Sequence, residues 1–242
     1  MLEVQVQSGL LEIWERGAGE RTARRALMLL ACALPGAAGG QLEGVSVGHR
    51  DALLLDLRER LFGSALVGLT TCPACGEEIE LAFNAAELRR GVAETVTATV
   101  EIDGVTVEFR LPNAGDLAAI VSIGDVPAAR ARLLARCILK ATRDDAAIPP
   151  DNLSSEAIAA TVARMGEIDP QADVALPVDC PSCAHGWREP FDVVTFLWNE
   201  LSVWARRLLE DVHRLATAYG WSERDILLLS PARRKAYLEL LR

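Results

Sequence analysis

Apolar residues recur at steps of three and four along most of the chain, and shorter stretches alternate. That pattern predicts a mainly helical α+β protein. The first seven residues alternate, with Leu2, Val4 and Val6 against Glu3, Gln5 and Gln7, which predicts a short strand or extended arm. Ser8 then caps a helix through Arg16, stopped by Gly17 and Gly19. From Glu20, the residues Ala23, Leu27, Leu30 and Leu34 form one helical face, ended by Pro35-Gly36. A Gly-rich loop to Gly48 leads into a helix from about His49 to Phe62, with Leu54, Leu57 and Leu61 on one side and Gly63 as its stop.

Ala65 to Thr71 reads as a strand, and Glu78 to Phe83 alternates again. Further on, Val96, Ala98, Val100 and Ile102 alternate up to Asp103-Gly104, and Val105, Val107, Phe109 and Leu111 alternate away from it. An Asp-Gly two-residue turn places Ile102 opposite Val105 and Val100 opposite Val107, so all eight side chains share a face that needs a cover. The cover is expected to be helical. Asn113 caps a short helix ending near Gly124, Asp125 caps one carrying Leu133, Leu134, Cys137 and Ile138, and Ser154 or Ser155 starts one with Ile158, Val162 and Met165 in register. The polar stretch Arg143 to Asn152, with Asp144-Asp145 and Pro149-Pro150, reads as an exposed loop.

Trp187 to Phe191 reads as a last strand before the longest helix. There Leu197, Leu201, Trp204, Leu208, Val212, Leu215 and Tyr219 keep a helical step, and Gly220 provides a left-handed cap with Trp221 folding back on the last turn. Trp198 falls beside this stripe, so it packs on another domain or is exposed for a partner. Two short helices follow, one started by Ser222 with Asp225 at capping-box spacing and one by Ser230-Pro231.

Composition narrows the function. A net charge of −9 and a pI near 5.0 oppose a general nucleic-acid binder, which needs a concentrated basic face. The apolar run Ala26 to Leu34 begins too late for a signal peptide and is too short to span a bilayer, so a cytoplasmic protein without a membrane segment is expected. Cys32 and Cys137 sit in apolar helical patterns and read as small buried hydrophobes.

The other four cysteines carry the chemistry. Cys72-Pro73-Ala74-Cys75-Gly76 and Cys180-Pro181-Ser182-Cys183 supply four thiolates in two CxxC units, enough for a closed tetrahedral shell around structural zinc. An iron site of the same four-thiolate type and redox dithiols are the alternatives. Gly76 follows the second cysteine, where positive φ lets amides turn toward the sulfurs. Cys180 lies a long way beyond Cys75, so the expected fold is a zinc ribbon split by a large insertion of a β-hairpin plus helices, followed by a long C-terminal helix and two short ones. The expected divisions are an N-terminal helical region 1–64, a split ribbon 65–83 plus 177–191, an inserted domain 84–176 and a C-terminal helical region 192–242.

No catalytic constellation stands out. His49, His185 and His213 lack a signalled orienting partner, and no phosphate loop, nucleophile elbow or HExxH stretch is present. His185 is a candidate second-layer residue of the metal.

The C-terminal stretch from Tyr219-Gly-Trp-Ser to Glu-Leu-Leu241, the Phe191 to Leu209 helix, the segment Gly48 to Gly63 and the CPACG and CPSC knuckles together resemble the T4-type bacteriophage baseplate protein family associated with phage-like contractile injection systems. The resemblance spans most of the chain, with its C-terminal stretch the most specific part. It implies a non-enzymatic structural or assembly component of a baseplate or hub, bound to other baseplate or hub proteins or the tape-measure protein, either in the finished particle or only in its assembly. Trp198, Trp221, Arg233 and Arg234 are the candidate partner-binding residues. The competing reading is a zinc-ribbon module that binds nucleic acid or regulates.

Overall fold

The computed structural model describes residues 2–34, 36–37, 39–93 and 95–241. In chain order its helices are α1 (Leu2–Gly17), α2 (Thr22–Ala33), α3 (Gly39–Gly44), α4 (Val47–Phe62), α5 (Ala85–Leu88), α6 (Ala114–Ile120), α7 (Val126–Cys137), α8 (Ser155–Ile168), α9 (Val193–Tyr219), α10 (Glu223–Leu227) and α11 (Pro231–Glu239). Its strands are β1 (Ala65–Thr71), β2 (Glu78–Asn84), β3 (Thr97–Ile102), β4 (Val105–Arg110), β5 (Ile138–Arg143), β6 (Ala146–Ala147), β7 (Ala175–Asp179) and β8 (Gly186–Pro190). The fold is mixed α and β with over half its residues helical. The chain forms two compact units, Met1–Met28 with Thr195–Arg242, and Leu29–Val194.

The first unit is built on α9. Within this unit its buried positions are Leu197, Trp198, Leu201, Ala205, Leu208, Val212 and Leu215, a stripe that takes in Trp198, whereas Trp204 and Tyr219, expected on it, are half-buried and exposed. The reason for Trp198 lies at the end of α1, where a Cβ on Gly17 would sit 2.3 Å from the Trp198 ring. Arg25 stacks over that indole at 4.4 Å while its Nε and Nη2 donate to the Gly17 and Ala18 carbonyls at 3.0 Å, so one guanidinium caps α1 and covers the tryptophan. Leu11 of α1 packs with Ala205 and Leu208. At the far end Ser222 and Ser230 cap α10 and α11 as expected, and Ile226 and Leu238 close a core with Val212 and Leu215. Gly220 takes a φ of 69°.

The start of the chain corrects the reading. Residues 2–7 are the first turns of α1 rather than an arm, and Ser8 lies inside that helix. Six alternating residues are too few to decide a period when a helical pattern follows without a break. Pro35, expected to end α2, lies outside the described residues; the Gly-rich loop after it contains α3, which buries Leu42. Helix α4 begins two residues earlier than read, with Ser46 accepting from the His49 N–H.

In the second unit the Asp103-Gly104 hairpin forms in the expected register, Ile102 against Val105 and Val100 against Val107. Both turn residues have positive φ, 49° and 74°, the geometry that suits strand twist. Val105, Val107, Phe109 and Leu111 are buried beneath Ala157 and Met165 of α8 and Cys137 of α7. Val96 departs from the set, preceding β3 and standing 55% exposed.

The largest surprise is that the sheet has four strands, ordered β3-β4-β5-β6. Helix α7 stops at Cys137, and Ile138, read as helical, opens β5. The polar stretch read as a loop contains a second tight hairpin whose turn is Asp144-Asp145, at φ 48° and 64°. Aspartate tolerates the left-handed region because its short side chain bonds locally, so the turn needs no glycine and carries no Asp-Gly signal.

Two buried carboxylates hold the unit together differently. Asp116 caps α6 with Asn113, accepting from the Asn113 N–H, and binds Arg110 at 2.5 and 2.8 Å and Arg136 at 2.8 Å. Burial raises its pKa, but Arg110, the Asn113 N–H and Arg136 together hold it below the usual carboxylate range. Asp169 ends α8 and reaches the start of α4, where its Oδ2 accepts from the Gly48 N–H at 3.0 Å; Oδ1 has no hydrogen-bond partner. A Cβ on Gly48 would sit 1.8 Å from that Oδ1, so the contact requires glycine. Burial raises the Asp169 pKa more than the Gly48 N–H and His49 lower it.

Gly48→Ala is expected to cost about 2 kcal/mol or more in denaturant unfolding, because the carboxylate must leave the end of α4. The folded Asp169 pKa lies above its unfolded value, so its stabilising contribution is full at low pH and is lost as pH rises through the folded pKa. Asp169→Asn is therefore expected to lose less stability than the native chain between about pH 4 and pH 7, measured by parallel denaturant titrations.

Candidate metal centre

Two hairpins, β1 with β2 and β7 with β8, each carry one CxxC in their turn. The turns share one backbone plan. The Cys72 N–H donates to the Glu77 carbonyl and the Gly76 N–H to the Cys72 carbonyl; the Cys180 N–H donates to the His185 carbonyl and the Ala184 N–H to the Cys180 carbonyl. The residue after each second cysteine has positive φ, 79° at Gly76 and 57° at Ala184. The glycine was legible in sequence. Its alanine counterpart was not, since alanine carries no such preference.

These turns bring all four Sγ atoms within 4.8 Å of one another. Two approaches cross between the hairpins, Cys72 to Cys183 at 3.7 Å and Cys75 to Cys180 at 3.6 Å. A tetrahedral ion with metal–sulfur bonds of about 2.3 Å needs sulfur–sulfur edges of about 3.8 Å. A disulfide needs about 2 Å. The spacing fits a metal ion, and the donor set is four soft sulfurs. Cys72 and Cys180 are buried, while Cys75 and Cys183 face outward.

The electrostatics fit the same role. Burial raises the Cys72 thiol, yet the N–H groups of Cys75 and Ala74 bring its pKa down to about 6. At Cys75 the Glu77 N–H lowers the pKa, but the crowding sulfurs of Cys183 and Cys180 push it up to about 12. Four adjacent sulfurs become anions together only around a cation.

Contacts the sequence did not flag also join the hairpins. Oε2 of Glu189 on β8 accepts from Thr70 Oγ1 on β1 at 2.8 Å and from Trp187 Nε1 at 2.9 Å. Phe83 meets Phe191 edge to face, centroids 5.7 Å apart. Nothing in the spacing of Glu189 marks it, because its partner is 119 positions away. His185 serves the centre through its backbone: its N–H lowers the Cys183 pKa, although burial and the Cys180 and Cys72 sulfurs leave that thiol raised overall, and its ring stacks on Trp187 at 6.0 Å.

The four candidate partner-binding residues fall in the other unit. Trp198 is 5% exposed against Gly17, and Arg234 is 5% exposed with its Nε 3.9 Å from Asp211. Trp221 is half-buried and stacked on Tyr219 at 4.7 Å, and the exposed Arg233 lies 5.8 Å from the Tyr237 ring. Only the last two offer surface; the apolar stripe of α9 is wide enough to take Trp198 inward.

Residues 28–198 match the family described as T4 bacteriophage base plate protein. The chain belongs to this family. The matched span takes in the inserted hairpin, helices and both knuckles, and stops short of Tyr219 to Leu241, where the resemblance was expected to be most specific. Searches of curated proteins and of solved structures gave no match. Membership in a base plate family points to a structural component of a phage tail particle rather than an enzyme. Among the described residues no helix is long and apolar enough to cross a membrane.

Gly76→Ala is expected to cost only about 1 kcal/mol in thermal unfolding of the metal-loaded protein, a backbone penalty alone. An added Cβ there meets nothing within 4 Å, and Ala184 already occupies the matching position.

Proposed function

We propose that the chain is a non-catalytic component of a base plate or hub that acts by protein–protein binding, with structural zinc stapling its two knuckle hairpins into a split zinc ribbon. The observation that carries this reading is the convergence of one CxxC from each hairpin on a single four-sulfur cluster. In this reading 65–83 and 177–191 are the two halves of the ribbon, 84–176 is a domain held at both ends by the metal, and 1–64 and 192–242 are helical flanks. Zinc suits the site because it accepts four thiolates in a tetrahedron and leaves no position for a substrate. The partners are other base plate or hub proteins, and the tape-measure protein is a further candidate.

Partner contact on the C-terminal flank rests on Trp221 and Arg233, types enriched at binding hot spots. Trp198 and Arg234 are buried and serve the fold of their unit. The acidic balance opposes nucleic acid as the partner.

Metal analysis of the untagged protein is expected to find about one zinc per chain, the content of one closed four-thiolate shell. Chelation is expected to lower stability by about 4 kcal/mol or more, because the metal closes a loop of 105 positions between Cys75 and Cys180. Cys75→Ser is expected to match the chelated protein. Stoichiometric iron would replace zinc in the reading, and metal-free protein with reactive, cycling thiols would overturn the staple.

A further inference from the structure

The hairpin of β1 and β2 has two faces, and one of them is apolar where water reaches it. Pairing sets Val67 against Ala82, Leu69 against Glu80 and Thr71 against Glu78, so these residues share the outward face. Val67 is 57% exposed and Leu69 76%, while the opposite face holds Leu66 at 1%. Isolated exposed apolar residues are ordinary. Here two stand at successive outward positions of one strand in a two-stranded sheet.

Charge says what covers them. Residues 64–84 contain no basic side chain and three glutamates, Glu77, Glu78 and Glu80. All three are exposed, and their carboxylates form no ion pair among the described residues. Two of them flank the apolar pair on the same face. On the zinc reading the end of this hairpin is more negative still, because a divalent ion ringed by four thiolates keeps a net negative charge. A second copy of the chain would bring glutamate against glutamate, and nucleic acid or an anionic membrane would be repelled.

We propose that the outward face of the β1–β2 hairpin, Val67, Leu69 and Ala82 rimmed by Glu77, Glu78 and Glu80, is a docking surface for a different protein chain whose contact segment intersperses lysine or arginine with apolar residues. The proposal rests on the base plate reading and assigns it an interface on the unit that carries the metal centre. The apolar pair supplies burial, and the glutamates fix register and reject acidic partners.

The test places a photo-crosslinking residue at Leu69 in the full chain, expressed with the other tail components, with the same residue at Thr99 as a control on the exposed polar face of the four-stranded sheet. The expected result is a crosslink from position 69, absent from position 99, to a basic segment of another protein. Its yield should fall about ten-fold or more in Glu78→Lys/Glu80→Lys and in Val67→Thr at unchanged metal content. A crosslink to a second copy, to an acidic segment or to nucleic acid overturns the proposal, as does a yield that the charge reversal leaves unchanged. If the chain enters particles or assembly intermediates and position 69 captures nothing, the surface is wrong while the base plate reading stands. If it enters neither, both fall.

Discussion

Four sulfur atoms within 4.8 Å of one another tie together two distant stretches of the unit Leu29–Val194. They come in pairs from two hairpins more than a hundred positions apart, so both knuckles must form before the site exists. Each knuckle is fixed by its own backbone bonds, and Glu189 and the Phe83–Phe191 contact hold the hairpins side by side. Everything between β2 and β7 is thereby a closed loop, which carries a four-stranded sheet under two helices. A cross-link of that length removes much of the conformational freedom of the unfolded chain, the form of stabilisation on which a metal staple acts.

Inside that loop the two buried carboxylates show how differently a fold treats one functional group. Asp116 has two arginines and the Asn113 N–H around it, and its pKa is lowered. Asp169 has one amide, an unsatisfied oxygen and a raised pKa. Both position a helix start, but only the first is fully compensated for leaving water. The contact between α8 and α4 therefore holds a carboxylate whose charged form is disfavoured by burial.

Local chemistry was legible in the sequence. The caps at Asn113, Asp125, Ser154, Ser222 and Ser230, the Asp103-Gly104 hairpin and the strands flanking Cys72 all followed from short-range rules. So did the four cysteines as one cluster, because two CxxC units carry their own geometry. What was missed depends on tertiary context or on weak local signals. Asp144-Asp145 makes a tight turn without glycine, Ile138 leaves a helical pattern to join the sheet, and Trp198 turns inward because α1 presents a glycine to it. Glu189 is invisible in the same way: a glutamate on a strand end says nothing about a threonine 119 positions earlier.

The chemistry open to the four-sulfur centre follows from its donor count. A metal that acts on a substrate needs a free coordination position, and four protein thiolates around a tetrahedral ion leave none. The outward placement of Cys75 and Cys183 does not change this, because exposure of a ligand is not a vacancy at the metal. Such a centre does mechanical work: it sets the distance between two chain segments and holds it against thermal motion. On the zinc reading proposed above, that rigidity would let a small hairpin present a fixed pattern of apolar and acidic side chains, with its ordering cost met in folding rather than at the moment of binding.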